Sequence, residues 1–339
     1  MSDPLVVIDA DVLGRQRTGD ETYVEQLLRA LPGAAAGLRL AAVTRRPDLV
    51  PAGVEAIPFP ARIQELRMAV RLPLLLRRLR PALAHFVHSL PLSVPCSAVL
   101  TIQDLSFERD ASLMGRRETA IFRAVVPRSA RRASRVLAIS QRTKDDLVEL
   151  YGLPTEKVTV TPLAYDPTFC PEPDGSHDEY LLLVGAVERR KDPLAAADAA
   201  NELGLRLISV GPERDAALAA ELRRRGVEVR GFVPKDELAQ LYRRAACLLF
   251  PSRYEGFGLP VAEAMASGTP VVASGDAAVR EVGGDAILCA EPGKLAAAVR
   301  SALAERPRLV TAGLERARLF SWEETARRTV AVYREVLDS

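Results

Sequence analysis

Residues 250–272, FPSRYEGFGLPVAEAMASGTPVV, join a strand to a helix through a loop that contains two glycines. The apolar run ending at Phe250 predicts the strand, and Pro260 stands where proline is favoured in the first turn of a helix. Gly256 and Gly258 allow backbone amides to approach a ligand, and a helix N-terminus favours negative charge. The stretch therefore predicts a strand–loop–helix unit of a parallel sheet with an anion site in its loop.

Two carboxylates eight residues apart, Glu255 and Glu263, bracket this loop. An acid beside a phosphate would repel it, so each is better suited to accept hydrogen bonds from hydroxyl groups, such as those of a sugar or a ribose. The alternative is a tight turn at Gly256 and Gly258, with Glu263 only stabilising the first helical turn. A loop of this kind, taken by itself, favours the tight turn.

The alternation of short apolar runs with amphipathic stretches continues through most of the chain and predicts an α/β fold with open, mostly parallel sheets. We predict strands at 5–9, 38–43, 82–86, 99–102, 136–139 and 158–161 in the first half, and at 180–184, 206–210, 227–229, 247–250, 270–273 and 286–289 in the second. A final amphipathic helix is expected from Trp322.

One segment interrupts this alternation. Residues 166–178, DPTFCPEPDGSHD, hold three prolines, one glycine and four acids, a composition typical of a linker. We therefore expect one domain at 1–165, a linker at 166–178, a second domain at 179–320 and a C-terminal helix at 321–339. Two such domains in tandem would leave a cleft at the carboxyl ends of both sheets, where open α/β sheets bind ligands.

The composition excludes several classes of protein. With 46 Lys and Arg against 44 Asp and Glu, and 48% hydrophobic residues, the 339-residue chain is typical of a globular protein. The apolar runs are far shorter than the ~18 residues that cross a bilayer, and the beginning lacks the basic region of a signal peptide, so we expect a cytoplasmic protein. The four cysteines lack C-x-x-C spacing and there are three histidines, so we predict no metal site.

The stretches 62–80 and 116–135 mix arginines with apolar residues. A basic amphipathic helix of this kind can lie on anionic lipid, and the protein could therefore contact the inner face of a membrane peripherally. It can equally be an ordinary surface helix whose arginine stems cover apolar neighbours. Nothing in the sequence predicts binding to nucleic acid.

The string E-G-F-G-L-P-x-x-E-A-M-A-x-G-x-P-V at residues 255–271 resembles the donor-site signature of the retaining glycosyltransferases of family 4. Further residues agree in order along nearly the whole chain: Arg17-Thr18-Gly19 with Tyr23, Asp104 to Phe107, Ser140 with Thr143, Val184-Gly185 followed by Arg190-Lys191, and Gly231 to Val233. The resemblance implies the GT-B fold: two Rossmann-like domains facing across a cleft, with the C-terminal helix able to return to the first domain.

The resemblance also implies a donor site in the second domain. Glu263 would hold the ribose diol of a nucleotide sugar, and Glu255 would contact hydroxyls of the transferred sugar. Arg190 and Lys191 would neutralise the diphosphate as the glycosidic bond breaks, a task that a metal performs elsewhere; without the resemblance, such a basic run would be a solvated patch. The remaining donor-binding residues, mainly through backbone groups, are Gly256, Phe257, Gly258, Leu259, Gly185, Gly211, Phe232, Val233 and, from the first domain, Gly19.

Three positions in the first domain differ from the family pattern or are ambiguous. Gly19 matches a loop that approaches the phosphate or acceptor, although a plain turn would also need glycine, and Asp20-Glu21 replaces the commoner Ile-Gly. Gln103-Asp104 stands where the family usually has His-Asp; Gln103 can bind a sugar hydroxyl but cannot titrate, and Asp104 would orient the loop. His85 is the candidate acceptor contact.

Two further residues and one motif complete the comparison. His88 is assigned to a loop, and Ala186 stands where many relatives carry arginine. The motif Asp9-Ala10-Asp11 has the D-x-D form that metal-dependent GT-A transferases use for manganese. Because it ends the first strand and the other motifs are those of GT-B, we take it as structural or acceptor-side.

The leading interpretation is a metal-independent, retaining glycosyltransferase without a cofactor. It would move a sugar from a UDP-, GDP- or ADP-linked donor to a small-molecule, lipid-linked or glycan acceptor bound by the first domain. Gln103 and Ala186 keep open a catalytically weak or inactive nucleotide-sugar-binding protein of the same fold. A nucleotide-sugar epimerase is a third alternative.

Overall fold

The computed structural model describes residues 3–15, 18–60, 63–109, 116–173 and 175–339. The chain divides into two compact units, one of Met1–Leu163 together with Ser321–Ser339 and one of Ala164–Phe320. Arg17 and Arg62, which belong to motifs named above, lie outside the described residues.

The first unit contains, in its described part, a seven-stranded parallel sheet with the order β3-β2-β1-β4-β5-β6-β7. Its strands are β1 (Leu5–Asp9), β2 (Arg39–Thr44), β3 (Glu55–Pro58), β4 (Leu83–Val87), β5 (Ser97–Ile102), β6 (Arg135–Ala138) and β7 (Val158–Val160). Its helices up to this point are α1 (Thr18–Ala34), α2 (Gln64–Leu66), α3 (Leu72–Leu79), α4 (Ser106–Arg109), α5 (Arg116–Arg132) and α6 (Gln141–Tyr151).

The second unit has a six-stranded parallel sheet over its described residues, with the order β10-β9-β8-β11-β12-β13. The strands are β8 (Tyr180–Val184), β9 (Arg206–Val210), β10 (Glu228–Gly231), β11 (Cys247–Phe250), β12 (Val271–Ala273) and β13 (Leu288–Cys289). The helices are α7 (Pro193–Leu203), α8 (Ala216–Arg224), α9 (Lys235–Arg244), α10 (Leu259–Ala266), α11 (Ala277–Gly283), α12 (Leu295–Ala304) and α13 (Arg306–Ala317).

With strands counted within each unit, both sheets contain the Rossmann-like order 3-2-1-4-5-6, and the first sheet adds a seventh strand beside the sixth. The predicted α/β fold class is thus confirmed. In each sheet the order reverses beside the first strand, between β1 and β4 in one unit and between β8 and β11 in the other. The connections after these two strands leave in opposite directions, which opens a crevice at their carboxyl ends. That geometry positions the candidate site described below.

The last helix, α14 (Trp322–Asp338), returns to the first unit and packs on α1. Ser321 caps it by accepting a hydrogen bond from the amide of Glu324, and the Trp322 ring lies 6.5 Å from the Tyr23 ring. The buried residues of α14 recur at helical spacing, which is the amphipathic pattern that the sequence predicts.

The basic stretch before α3 differs from the simple surface helix considered above. A π-helical turn at Arg67–Arg71 joins α2 to α3, and the Arg67 side chain is fully buried, where its guanidinium donates to Asp9. Among the described residues, no helix combines the length and the apolar composition that crossing a bilayer requires.

Candidate functional site

The loops that follow β8 and β11 bring three predicted site residues together at the reversal of the second sheet. The Lys191 ammonium donates to Glu255 Oε1 at 2.5 Å. Arg190 Nη1 donates to the Tyr254 carbonyl at 3.0 Å and lies 3.4 Å from Glu255 Oε2. Residues that are more than sixty positions apart in the sequence therefore form one charged cluster.

Burial and charge act in opposite directions in this cluster. Only 12% of the Lys191 side chain and 8% of the Glu255 side chain are exposed. Burial lowers the pKa of Lys191, and the neighbouring Glu255 only partly offsets this. Burial would raise the pKa of Glu255, but the charges of Lys191 and Arg190 outweigh it and hold that pKa below its usual range. Glu255 is therefore an ionised acceptor for hydrogen bonds.

A second carboxylate, Glu188, balances the charge of the cluster. Arg190 Nη2 lies 2.8 Å from Glu188 Oε1, so Arg190 and Lys191 face Glu188 and Glu255. Glu188 carries no signal of a site in the sequence, because an acid next to a basic run is an ordinary surface pattern. The two cations and the two carboxylates therefore balance each other's charge in the cluster.

The loop between β11 and α10 adopts the conformation that its glycines allow. Gly258 has a φ of 99°, in the left-handed region, and caps α10 immediately before Leu259 and Pro260. A Cβ at Gly258 would make only ordinary contact with Val279, at 3.5 Å, so the positive φ alone disfavours a side chain there. The chain thus enters α10 through a turn that requires glycine, with Gly256 and Phe257 on the same loop.

Glu263 lies inside α10 and is buried beside Tyr242 of α9. The Tyr242 hydroxyl donates to Glu263 Oε2 at 2.8 Å, whereas Oε1 makes no hydrogen bond to a described residue. Burial raises the pKa of Glu263 to about 7, against a lowering by the Tyr242 hydrogen bond. Tyr242 was missed by the sequence analysis, since a tyrosine on an amphipathic helix carries no signal of a site.

The predicted backbone contacts lie along the carboxyl ends of β8, β9 and β10. Gly211 has a φ of 143°, and a Cβ there would stand 2.1 Å from the Gly185 carbonyl oxygen. The Gly211 amide donates to the Gly231 carbonyl at 2.8 Å. The ends of β8 and β9 can approach this closely because Gly211 has no side chain. Of the two residues that follow β10, Phe232 is exposed and Val233 is buried.

In the first unit, Gly19 and Gln103 are neighbours. Gly19 lies in the first turn of α1, and a Cβ on it would stand 3.7 Å from Gln103 Oε1. The Gln103 amide nitrogen is buried and has no hydrogen-bond partner among the described residues. Asp104 Oδ1 accepts from the amide and hydroxyl of Ser106 at 3.0 and 2.8 Å, so it holds the loop after β5.

The structure gives His85 a different place from the predicted acceptor contact. His85 is 1% exposed, with Nδ1 2.6 Å from the Tyr333 hydroxyl and Nε2 2.7 Å from the Thr101 hydroxyl. The Thr101 hydroxyl in turn lies 2.8 Å from that of Tyr23. Burial lowers the pKa of His85 to about 3, so the ring is neutral, has both nitrogens engaged and links β4 to α14.

The two aspartates of the D-x-D motif bind arginines. Arg67 Nη1 donates to Asp9 Oδ2 at 3.0 Å, and Arg45 Nε donates to Asp11 Oδ1 at 2.9 Å. Asp11 also pairs with Arg15. Over the described residues, no group of three or more His, Cys, Asp or Glu side chains is arranged to hold a metal ion.

Two family models match the chain, one in each half. The model described as Glycosyltransferase Family 4 matches residues 17–169, and the one described as Glycosyl transferases group 1 matches residues 178–305.

Curated relatives agree with these models. The chain is 28% identical over 231 residues to O-antigen chain mannosyltransferase B of Escherichia coli, covering 60% of this chain and 61% of that protein. It is 34% identical over 244 residues to D-inositol 3-phosphate glycosyltransferase 1 of Catenulispora acidiphila, covering 61% of this chain and 58% of that protein. The matched region thus spans about three fifths of the length of these two relatives.

Solved structures share the fold along the whole chain. Sucrose-phosphate synthase from Thermosynechococcus elongatus superposes with a TM-score of 0.78 at 21% identity, covering 99% of both chains. Anabaena HepE in complex with UDP-glucose superposes with a TM-score of 0.73 at 15% identity, covering 98% of this chain and 99% of that chain. These likenesses establish the fold.

Proposed function

The chain belongs to glycosyltransferase family 4, the group 1 glycosyltransferases, and from this premise we propose that it transfers a sugar from a nucleotide diphosphate sugar to a hydroxyl acceptor. We propose further that the transfer retains the anomeric configuration and needs no metal. The observation that carries the proposal is the buried pair of Lys191 and Glu255, 2.5 Å apart at the reversal of the second sheet.

The pair would act on the two ends of the donor in one step. When hydroxyls of the bound sugar donate to Glu255, they compete with Lys191 for the carboxylate oxygens. Lys191 and Arg190 then face the diphosphate, where negative charge grows as the bond from the anomeric carbon to the phosphate oxygen breaks. Fixed cations in a site of low dielectric stabilise that charge without the cost of reorganising water.

Glu263 supports the nucleotide end of the donor. One of its oxygens is occupied by Tyr242, and the other is able to accept from a ribose hydroxyl. The backbone of Gly256 to Leu259, together with Gly185, Gly211, Phe232 and Val233, would complete the donor site. This arrangement leaves the base to be recognised by backbone groups, so UDP, GDP and ADP donors all remain candidates.

The acceptor is assigned to the first unit, where Gly19 would approach the donor phosphate or the acceptor, and Gln103 and Asp104 would lie by the reacting sugar. One relative is named a mannosyltransferase, another a D-inositol 3-phosphate glycosyltransferase, and one neighbour was solved with UDP-glucose. The candidate acceptors are therefore small polyols, glycans and lipid-linked sugars. We place the reaction in the cytoplasm, with the basic helices of the first unit able to touch an anionic membrane surface.

The first experiment measures thermal unfolding with UDP-glucose, GDP-mannose and ADP-glucose. A donor at ~100 times its dissociation constant should stabilise the protein by about 2.7 kcal/mol. The donor that binds is then tested for transfer to methyl α-mannoside and D-inositol 3-phosphate. Absence of both binding and transfer across this panel would refute the proposal.

Variants separate the two carboxylates and the cation. Glu263→Gln should weaken donor binding, whereas Lys191→Met should lower turnover more than donor binding, because its main interaction forms as the bond breaks. Lys294→Met, at an exposed lysine of the same unit, is the matched control. Equal effects of Lys191→Met and Lys294→Met would rule out the assignment of the cation.

One observation favours a second candidate function. Gln103 cannot titrate, and its buried amide nitrogen has no partner among the described residues, as expected if the reaction centre had lost a working group. The chain would then bind a nucleotide sugar without transferring it. Donor binding without transfer, combined with transfer gained in Gln103→His, would support this alternative.

A further inference from the structure

An inverted pattern of burial marks the segment that leads into α3. Arg67 is fully buried and donates to Asp9, although it is charged. Leu66, Val70 and Leu74 recur every four residues, yet their side chains are 46 to 56% exposed. The segment therefore turns a charged residue toward the core and a stripe of apolar side chains toward solvent, the reverse of an ordinary surface helix.

The exposed apolar side chains extend from this segment to α5 through Leu92. Leu92 is 73% exposed, and its amide donates to the Met68 carbonyl at 3.1 Å. Its own carbonyl accepts from Arg132 Nη2 of α5 at 3.1 Å. On their inner sides, α3 and α5 share one core cluster on the same sheet. The exposed side chains of residues 63–80, Leu92 and α5 thus form one surface, which we call the α3–α5 surface.

Large apolar side chains are concentrated on the α3–α5 surface. Among the described residues, eleven large apolar side chains are exposed, and seven of them lie here. Besides the four leucines and valines named above, these are Ile63, Ile121 and Val125. A contiguous exposed cluster of this kind marks an interaction site, whereas single exposed leucines are normal.

The same surface is strongly basic. Residues 63–80 and 116–132 contain eleven arginines, two glutamates and no aspartate. The side chains of Arg77, Arg78 and Arg80 make no hydrogen bond or ion pair within the part of the chain that the structure describes. Their guanidinium groups are therefore available to an anion from outside the protein.

Charge and apolar area together select the partner. Two copies of the chain would bring arginines against arginines, which disfavours self-association through this surface. Nucleic acid would engage the arginines but leave the leucines in water. An anionic bilayer satisfies both, because its headgroup phosphates bind guanidinium groups and its acyl boundary accepts apolar side chains.

We propose that the α3–α5 surface docks on an anionic lipid bilayer. Leu66, Val70 and Leu74 insert at the boundary between the headgroups and the acyl chains. Arg77 and Arg78 bind headgroup phosphates beside them. The inference builds on the proposed function, which places the reaction in the cytoplasm, and adds the surface, its ligand and the mode of contact.

The test measures co-sedimentation of the full chain with lipid vesicles. Vesicles of phosphatidylcholine mixed with phosphatidylglycerol should bind the protein, and vesicles of phosphatidylcholine alone should not. Rising salt concentration should weaken the binding, because it screens the charge of the arginines. The assay needs neither donor nor acceptor, so this inference and the proposed transferase function can fail independently of each other.

Matched variants separate the two kinds of contact. Arg78→Gln should weaken vesicle binding about fivefold, the effect of one cation at an anionic leaflet. Leu74→Ser should weaken it about tenfold, because one inserted leucine is lost. Arg318→Gln and Leu319→Ser change exposed residues of the second unit and should leave binding unchanged. All four variants should unfold at the wild-type temperature, since each of these side chains is exposed.

Several results would overturn the inference. One is the absence of binding to either kind of vesicle, and another is binding that the variants of both units weaken equally. Binding that is lost in Arg78→Gln but kept in Leu74→Ser would indicate adsorption by charge alone. A dimer in sedimentation velocity that Leu74→Ser dissociates, without vesicle binding, would assign the surface to a second copy of the chain. Retention on poly-L-glutamate without vesicle binding would assign it to an acidic protein.

Discussion

The pKa of Glu263 predicts an unusual dependence of stability on pH. Burial raises this pKa from 4.5 to about 7. Between these two values the native state keeps a proton on Glu263 that the unfolded chain has released, and this proton stabilises the native state. The stabilisation is fully present below the unfolded pKa and is lost as the pH rises through about 7. A pKa shift of this size changes the free energy of unfolding by about 3 kcal/mol, of which about 2.5 kcal/mol is lost between pH 5 and pH 8.

Glu263→Gln removes the proton equilibrium and keeps the shape of the side chain. At pH 5 the two proteins should unfold with similar free energies, and at pH 8 the variant should be more stable by about 2.5 kcal/mol, because the wild type buries a charge there. The assay is calorimetry or hydrogen exchange of second-unit amides at pH 5, 6, 7 and 8. Fluorescence would not serve, since the one tryptophan of the chain belongs to the first unit.

Tyr242→Phe provides an internal control. The Tyr242 hydroxyl bond lowers the pKa of Glu263, so its removal should move the midpoint of the stability loss to higher pH. A stability difference between wild type and Glu263→Gln that is independent of pH would refute this reasoning. The reasoning would also fail if the stability of Glu263→Gln, measured relative to the wild type, fell between pH 5 and pH 8.

Three further predictions concern single contacts. Lys191→Met leaves the buried Glu255 carboxylate without its nearest partner and should destabilise the second unit by about 3 kcal/mol in calorimetry, whereas the double variant with Glu255→Gln should recover most of the loss. Gly211→Ala places a Cβ 2.1 Å from a backbone oxygen and should cost at least about 2 kcal/mol; Gly204→Ala, with no atom within 4 Å, should cost about 1 kcal/mol, and equal losses would contradict this. Tyr333→Phe removes the hydrogen-bond partner of a buried nitrogen of His85 and should destabilise the first unit by about 1 to 2 kcal/mol. Unfolding is followed by the fluorescence of the tryptophan in the same helix. An unchanged unfolding midpoint would argue against a contribution of this buried hydrogen bond to stability.

The sheets could be predicted because parallel strands that are buried on both faces have continuous apolar sequences. All five residues of β8 are buried, and its sequence YLLLV has no polar position. The strand that escaped prediction, β3, lies at the edge of its sheet with no fully buried residue and ends at Pro58. An edge strand gains little from apolar side chains, so it leaves a weak signal in the sequence.

The cluster of Arg190, Lys191 and Glu255 could be predicted only through the resemblance. Lys191 and Glu255 are 64 residues apart. The local sequence of either loop does not predict that the two side chains contact each other. What brings them together is the reversal of strand order between β8 and β11, a property of the sheet as a whole. The partners Tyr242 and Glu188 had no motif at all, and their roles depend on which side chain happens to be buried next to them.

The two histidines around β4 show why the surroundings of the acceptor candidate His85 could not be predicted from the sequence. Residues three apart on an extended strand point to opposite faces, so the sequence could separate His85 from His88 but could not tell which face is open. The element that closes the face of His85 is α14, whose Tyr333 is 248 residues away. Because α14 lies at the C-terminal end of the chain, the alternation of residues in β4 does not predict that this helix covers His85. His88 lies past the end of the strand, where the backbone is left-handed and the ring lies against Asp20, so the strand period does not determine its surroundings either.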